Sequence, residues 1–224
     1  MKVSGIVIAS LVALLAVAPV RGAVGRPAAC GLRSVPLSVG NTWTYKNAAG
    51  VTVTLAILGI APGKNAAGHA VTEVRVKELY ANRTTTTLWT CTSGGGLTFP
   101  PDSFFFSGEP GGAVGVALAN VVHEPASLPA DAAVVAGSAW VEKVRADATR
   151  SDAAGQGFQH PAGKVELERH VVLSPVETVA IELGRFGALK LGFELRGRGI
   201  VDEQRYELPV RRPGTMWLVK GVGF

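Results

Sequence analysis

The chain has 224 residues, of which 47% are apolar, 17% charged and 7% aromatic, with a formal net charge of +5. That length suits one all-β domain with a substantial core. The charge is only mildly basic and gives no case for nucleic acid, whose partners usually carry charge clustered on one face.

In chain order, the N-terminus reads first as an export signal. Lys2 precedes an apolar run from Gly5 to Val20, and Val20-Arg21-Gly22 offers a cleavage point before Ala23. Residues 1–22 are therefore assigned to a signal peptide. The rival reading is a membrane anchor, but the run is shorter than the roughly 18 to 20 residues that cross a bilayer core. A third reading is lipidation at Cys30, within Pro27-Ala28-Ala29-Cys30; Arg21 and Arg26 separate that stretch from the apolar run it should abut. The expected location is periplasmic or extracellular, with outer-membrane lipid anchoring as the minor alternative. Without Lys2 and Arg21 the net charge falls from +5 to +3.

Residues 23–34 read as a flexible leader and 35–224 as a single β domain. Cys30 and Cys91 are the two cysteines. In an oxidising compartment they read as a disulfide, which would stabilise the fold by roughly 4 kcal/mol through loop entropy. Two unrelated thiols are the alternative, and the absence of a CxxC spacing leaves redox chemistry unsupported.

Period-two alternation then dominates, as in Val51 to Leu55, Glu73 to Lys77, Arg83 to Thr92, Glu177 to Leu183 and Val201 to Leu208. Lys190 to Arg198 is the clearest case, with Leu191, Phe193 and Leu195 on one face and Lys190, Glu194, Arg196 and Arg198 on the other. Such sheets have one buried and one wet face and pair antiparallel. Turns are expected at Asn47 to Gly50, Ala61 to Asn65 and Arg212 to Gly214. Short helices are expected within Val114 to His123 and Pro129 to Ala136, and an exposed loop over Asp147 to Gly163.

Four tryptophans mark the strands. Trp43 and Trp140 sit in similar opening stretches, Gly40-Asn41-Thr42-Trp43 and Gly137-Ser138-Ala139-Trp140. Trp89 and Trp217 sit in closing stretches, each followed by glycines. Half-repeats over 36–98 and 131–224 would explain this order. Chance matches in a Thr- and Gly-rich β-protein are the alternative, since the spacings of 46 and 77 residues differ. Between the halves, Phe99-Pro100-Pro101-Asp102-Ser103-Phe104-Phe105-Phe106 clusters four aromatics. It reads either as a loop that folds back to plug the core, or as the lip of an apolar cavity or a membrane-touching loop.

No catalytic, cofactor or metal motif is present. There is no Gly-x-Ser-x-Gly elbow, no paired-histidine metal spacing among His69, His123, His160 and His170, and no phosphate loop. His170, beside Glu166 and Glu168, reads as part of a solvated strand face. His160 near Ser151 and Asp152 is the one local cluster a hydrolase could use. Arg196, Arg198, Arg205, Arg211, Arg212 and Lys220 make the C-terminal part basic. Contact with anionic lipid or sugar is one reading, and a wet sheet face with Glu194, Asp202, Glu203 and Glu207 interleaved is the other.

Three stretches resemble a broad family of bacterial exported proteins and lipoproteins. They are Pro36-Leu37-Ser38-Val39-Gly40-Asn41-Thr42-Trp43-Thr44-Tyr45, Glu177-Thr178-Val179 with Gly184-Arg185-Phe186-Gly187-Ala188-Leu189-Lys190, and Trp217-Leu218-Val219-Lys220-Gly221-Val222-Gly223. The resemblance implies a β-rich envelope domain, distantly similar to the half-barrels of lipoprotein carriers, and it brings no catalytic residues.

The expectation is thus an all-β fold of mostly antiparallel curled sheet, half-barrel or sandwich-like, with few short helices. The leading function is a non-enzymatic binding or carrier module for an apolar or amphipathic ligand. Trp43, Trp89, Trp140, Trp217, Phe104, Phe105 and Phe106 are the candidates to line its cavity. The alternative is a structural or protein-interaction module of the envelope, with an envelope protein as partner and peripheral membrane contact.

Overall fold

The computed structural model describes residues 30, 32–46, 52–80, 83–107, 118–148, 163–181, 184–201 and 204–223. The expected signal peptide, the Asn47 to Gly50 turn and the cluster of His160, Ser151 and Asp152 lie outside them.

The alternating stretches form two five-stranded antiparallel meanders. The first runs β1 (Thr42–Lys46), β2 (Thr52–Lys64), β3 (Ala70–Tyr80), β4 (Arg83–Thr92) and β5 (Leu97–Thr98), and it curls into a half-barrel. The second runs β6 (Leu118–Glu124), β7 (Ala139–Ala148), β8 (Gly163–Ile181), β9 (Gly184–Val201) and β10 (Gln204–Leu218). Helix is confined, among the described residues, to the four-residue α1 (Phe104–Ser107) and a 3-10 turn at Asp131–Ala133. The all-β expectation holds.

Alternation puts Leu55, Val74, Val76 and Trp89 of the first sheet, and Val144, Leu167, Leu191 and Leu195 of the second, into one hydrophobic cluster. Two seams close around it. Leu97 and Leu128 exchange backbone hydrogen bonds of 2.8 Å each way. On the other side Trp43 Nε1 donates to the Val222 carbonyl at 2.6 Å. Gly223 has φ +108° there, and a Cβ would sit 3.2 Å from Trp43 Nε1, so glycine serves both conformation and close approach.

Several expected turns and helices differ. Arg212 to Gly214 is not a turn but lies inside β10. A Cβ at Gly214 would meet the Phe193 ring at 2.1 Å, so the glycine makes room for a ring. Pro213 is tolerated because β10 pairs on one side only, with β9. Pro62 likewise lies inside β2, beyond the stretch that pairs with β1, and the turn moves to Asn65–Gly68. There Asn65 Oδ1 accepts from the Ala67 and His69 amides at 3.1 and 2.9 Å. Residues 118–123 of the expected first helix are strand β6, because pairing with β7 outweighs local propensity. The second expected helix shrinks to the 3-10 turn.

Cys30 and Cys91 form a disulfide with a Cα separation of 5.2 Å. It ties down a segment whose Leu32, Val35 and Leu37 are buried. Asp131 holds the same segment from the second sheet's side, accepting from the Arg33 amide and, at 2.7 Å, from Ser34 Oγ. Partial burial pushes the Asp131 carboxyl up, but these donors outweigh it and hold it below its ordinary value of 3.8.

Replacing both cysteines with serine should lower stability by about 4 kcal/mol, read as the shift in a urea unfolding midpoint. Asp131→Ala should cost about 0.5–1.5 kcal/mol at pH 7. A carboxyl whose folded value is depressed stabilises above its unfolded value and loses that stabilisation as pH falls through the folded one. The gap between Asp131→Ala and the parent should therefore close as unfolding is repeated at pH 5, 4 and 3.

Candidate functional site

The segment Phe99 to Phe106 enters the interior. Phe99, Phe105 and Phe106 are buried, and Phe105 lies edge-on to Trp89 at 5.4 Å and to Tyr45 at 5.4 Å. Trp89 also meets Phe99 edge-on at 4.9 Å. Such contacts add to the area that aromatic rings bury. Of the two readings of this segment, the described structure matches the plug.

Two buried carboxylates hold the plug. Glu78 on β3 accepts from Ser103 Oγ at 2.7 Å, from the Phe104 amide at 2.9 Å and from Thr87 Oγ1 at 3.0 Å. The Phe104 amide opens α1, so Glu78 satisfies a helix-start donor that would otherwise be stranded in the core. Burial raises the Glu78 carboxyl above its ordinary value, the three donors pull it partly back, and nearby Asp102 adds to the rise.

Glu142 on β7 is the second. Ser127 Oγ donates to Glu142 Oε1 at 2.6 Å and accepts from the Phe99 amide at 2.9 Å. His123 Nδ1 stands 2.7 Å from the same carboxylate oxygen, and Arg169 Nη1 donates to Oε2 at 3.3 Å. Arg169 is 1% exposed and lies over the Phe193 ring at 4.8 Å and near Phe106 at 5.8 Å. Burial pulls the Arg169 guanidinium below its usual value, and Glu142 draws it back up. Glu142 steadies the His123 imidazole, but the Ser127 hydroxyl points to the carboxylate and not to the ring. A nucleophilic triad needs the opposite arrangement.

None of these buried charges was singled out from the sequence, yet strand parity marks them. Glu78 follows Val74 and Val76, Glu142 precedes Val144 and Ala146, and Arg169 sits between Leu167 and Val171, each at a spacing of two. A charge on the apolar parity of a strand marks a buried polar anchor.

The seven aromatic candidates do not share one wall. Trp89, Phe105 and Phe106 are buried, and Trp43, Trp140 and Phe104 pack against the core half-buried. Trp217 is 39% exposed on the outer face of the second sheet. A cleft of about 260 Å³ lies elsewhere, where Val121, Val122 and His123 of β6 approach Glu73, Thr90 and Thr98, and none of the seven lines it. Among the described residues no group of histidines, cysteines and carboxylates could hold a metal ion, and no helix is long and apolar enough to cross a membrane.

The outer face of the second sheet has two zones. In one, opposite charges face across strands: Glu168 opposes Lys143 and Arg196, and Glu166 opposes Arg145 and Arg198. Arg196 Nε donates to Glu194 at 3.2 Å, and His170 lies 3.6 Å from Glu168. This part of the basic C-terminal region is thus a wet face with interleaved partners; the side chains of Arg205, Arg211 and Arg212 lie outside the description.

The other zone begins where β8 bulges at Ser174 and Pro175. β7 pairs with β8 only as far as Val172, and β10 pairs with β9 only from Leu189 onward. Among the described residues, Glu177–Ile181 and Gly184–Ala188 therefore pair only with each other, as an arm beyond the sheet that starts at the Val176–Leu189 pair. Val176, on the arm's inner face, is 62% exposed and Ile181, on its outer face, 45%, whereas Leu173, just before the bulge, is 1% exposed.

No family model matches the chain, and no curated protein matches it. Two solved structures resemble it. A Bacteroides fragilis protein of YmcC-like fold, described as exported, aligns at 13% identity and a TM-score of 0.47, covering 84% of this chain and 87% of that one. A Parabacteroides distasonis protein, described as a lipoprotein, aligns at 13% identity and a TM-score of 0.41, covering 85% and 87%.

Phe105→Ala should cost about 3–5 kcal/mol by opening a cavity among Trp89, Phe99 and Tyr45. Glu142→Ala should cost a similar 3–5 kcal/mol, because it strands Arg169 without a counter-charge. Adding Arg169→Met to Glu142→Ala should recover part of that loss. Chemical denaturation of the three variants checks this order.

Proposed function

We propose that this chain is an exported, non-enzymatic interaction module of the cell envelope that works through its outer surface. The N-terminal signal reading supports export. The observation that carries the interaction reading is the arm, where the outer face leaves Ile181 45% exposed, in line with Val172 at 53% before the bulge, while the interior aromatics meet one another. Apolar side chains held out on a paired but otherwise unsupported hairpin mark a contact surface.

The carrier reading places an apolar or amphipathic ligand against Trp43, Trp89, Trp140, Trp217, Phe104, Phe105 and Phe106. It needs room beside those rings. The edge contacts of Trp89 with Phe99 and Phe105, and the anchoring of the plug by Glu78 and Glu142, count against that room.

Mass spectrometry of an organic extract from the protein, purified out of its own envelope beside a matched blank, separates the two. The interaction reading expects no apolar compound above the blank. A lipid or apolar metabolite near one per chain would overturn it in favour of the carrier.

A further inference from the structure

An apolar strip runs along one end of the second sheet's outer face. Strand parity and register define it. Val172 pairs with Ala139, and Trp217 pairs with Lys190. Beyond the bulge Glu177 pairs with Ala188, Val179 with Phe186 and Ile181 with Gly184, all on that same outer face. Val172 is 53% exposed, so the strip is open at its start as well as at its end.

The polar groups around the strip are arranged by sign. Trp217 Nε1 donates to Glu177 Oε1, which gives that carboxylate a fixed partner. Lys190 Nζ stands 5.8 Å from the Trp217 ring centroid. Lys220 is exposed just beyond β10, whereas Arg185, opposite Ala180, is exposed on the arm's other face. Glu182, the other acid of this segment, lies outside the described residues. Two cations, Lys190 and Lys220, therefore border apolar and aromatic side chains, while the opposite zone of the same face carries paired charges suited to water.

We propose that the strip of Val172, Trp217, Val179, Phe186 and Ile181 lies on an anionic lipid bilayer surface, with Lys190 and Lys220 against the headgroups. This deepens the interaction-module reading and rests on it.

Charge and composition choose a bilayer over a protein surface. Tryptophan with one polar contact and one apolar face suits the headgroup level. Basic residues beside it are drawn to anionic lipid, an attraction that salt weakens. The geometry is that of a surface element and not of a span. The arm's longer strand, the six residues Val176–Ile181, reaches about 20 Å at 3.3 Å each, too short to cross a bilayer core of about 30 Å. A strip lying flat buries the outer face alone.

Co-sedimentation of the envelope-purified protein with vesicles tests this. One set is phosphatidylglycerol with phosphatidylethanolamine, the other phosphatidylcholine alone. Any pull exerted by the N-terminal segment is common to the parent and every variant, so the comparison among them isolates the strip. The parent should bind the anionic vesicles at least tenfold more tightly than the neutral ones, and raised salt should narrow that gap. Ile181→Asp on the outer face should lose at least tenfold, and Lys190→Glu with Lys220→Glu should abolish the preference for anionic lipid. Val176→Asp on the inner face of the same arm should bind as the parent does; it controls for collapse of the arm.

Equal binding by the parent and Ile181→Asp would overturn the proposal, as would equal loss in Val176→Asp and Ile181→Asp. If the parent ignores vesicles but Ile181→Asp breaks up a dimer, or releases a stoichiometric protein, the bilayer is overturned and the interaction reading stands with a protein on the strip. A one-to-one apolar ligand in the organic extract would instead overturn the interaction reading itself.

Discussion

A carboxylate taken out of water must be met by donors, and the two buried among the described residues meet theirs on or beside one segment. Glu78 receives Ser103 and the Phe104 amide, and Glu142 reaches the Phe99 amide through Ser127. Neither strand could keep its charge inside without that segment, because an unpaired buried charge costs several kcal/mol. The segment in turn could not bury its backbone amides without the carboxylates. The aromatic plug and the two sheets are therefore mutually dependent, and the exchange of hydrogen bonds between Leu97 and Leu128 closes the seam beside them.

The interior's occupancy moves attention outward. A curled sheet that clasps its own aromatic segment is a scaffold, and the second sheet gives it two different outer zones. Where β7, β8 and β9 lie side by side, charges alternate in sign across the strands. Past the Ser174–Pro175 bulge the sheet narrows to two strands, and the side chains turn apolar. The bulge separates the two zones: it leaves Val172 and Glu177 on one face while the chain passes beyond the core.

Much of the scaffold was legible in period-two alternation. Lys190 to Arg198 predicted its own buried and wet faces, and Cys30 with Cys91 predicted its own bridge. The tryptophans proved to be strand markers: Trp43 and Trp89 stand on the first and last strands of the meander β1 to β4, and Trp140 and Trp217 on those of β7 to β10. Glycine and proline misled where they served something other than a turn. Gly214 clears the Phe193 ring, and Pro213 and Pro62 sit where a strand lacks a second neighbour. The candidate site was less legible. Parity marks Glu78, Glu142 and Arg169 as inward-facing, but which donors meet them depends on a fold-back that no local pattern encodes. The arm was visible as a strand, but its isolation follows from where β7 and β10 stop pairing.

Native-state hydrogen exchange at the Phe99 and Phe104 amides tests most directly whether the plug belongs to the core. If it does, both amides should exchange only through global unfolding, while amides of the arm from Val176 to Ala188 exchange far faster. Exchange at Phe99 and Phe104 as fast as in the arm would contradict this, because it would mean that the segment leaves the interior readily and that the space between the sheets is open to a ligand.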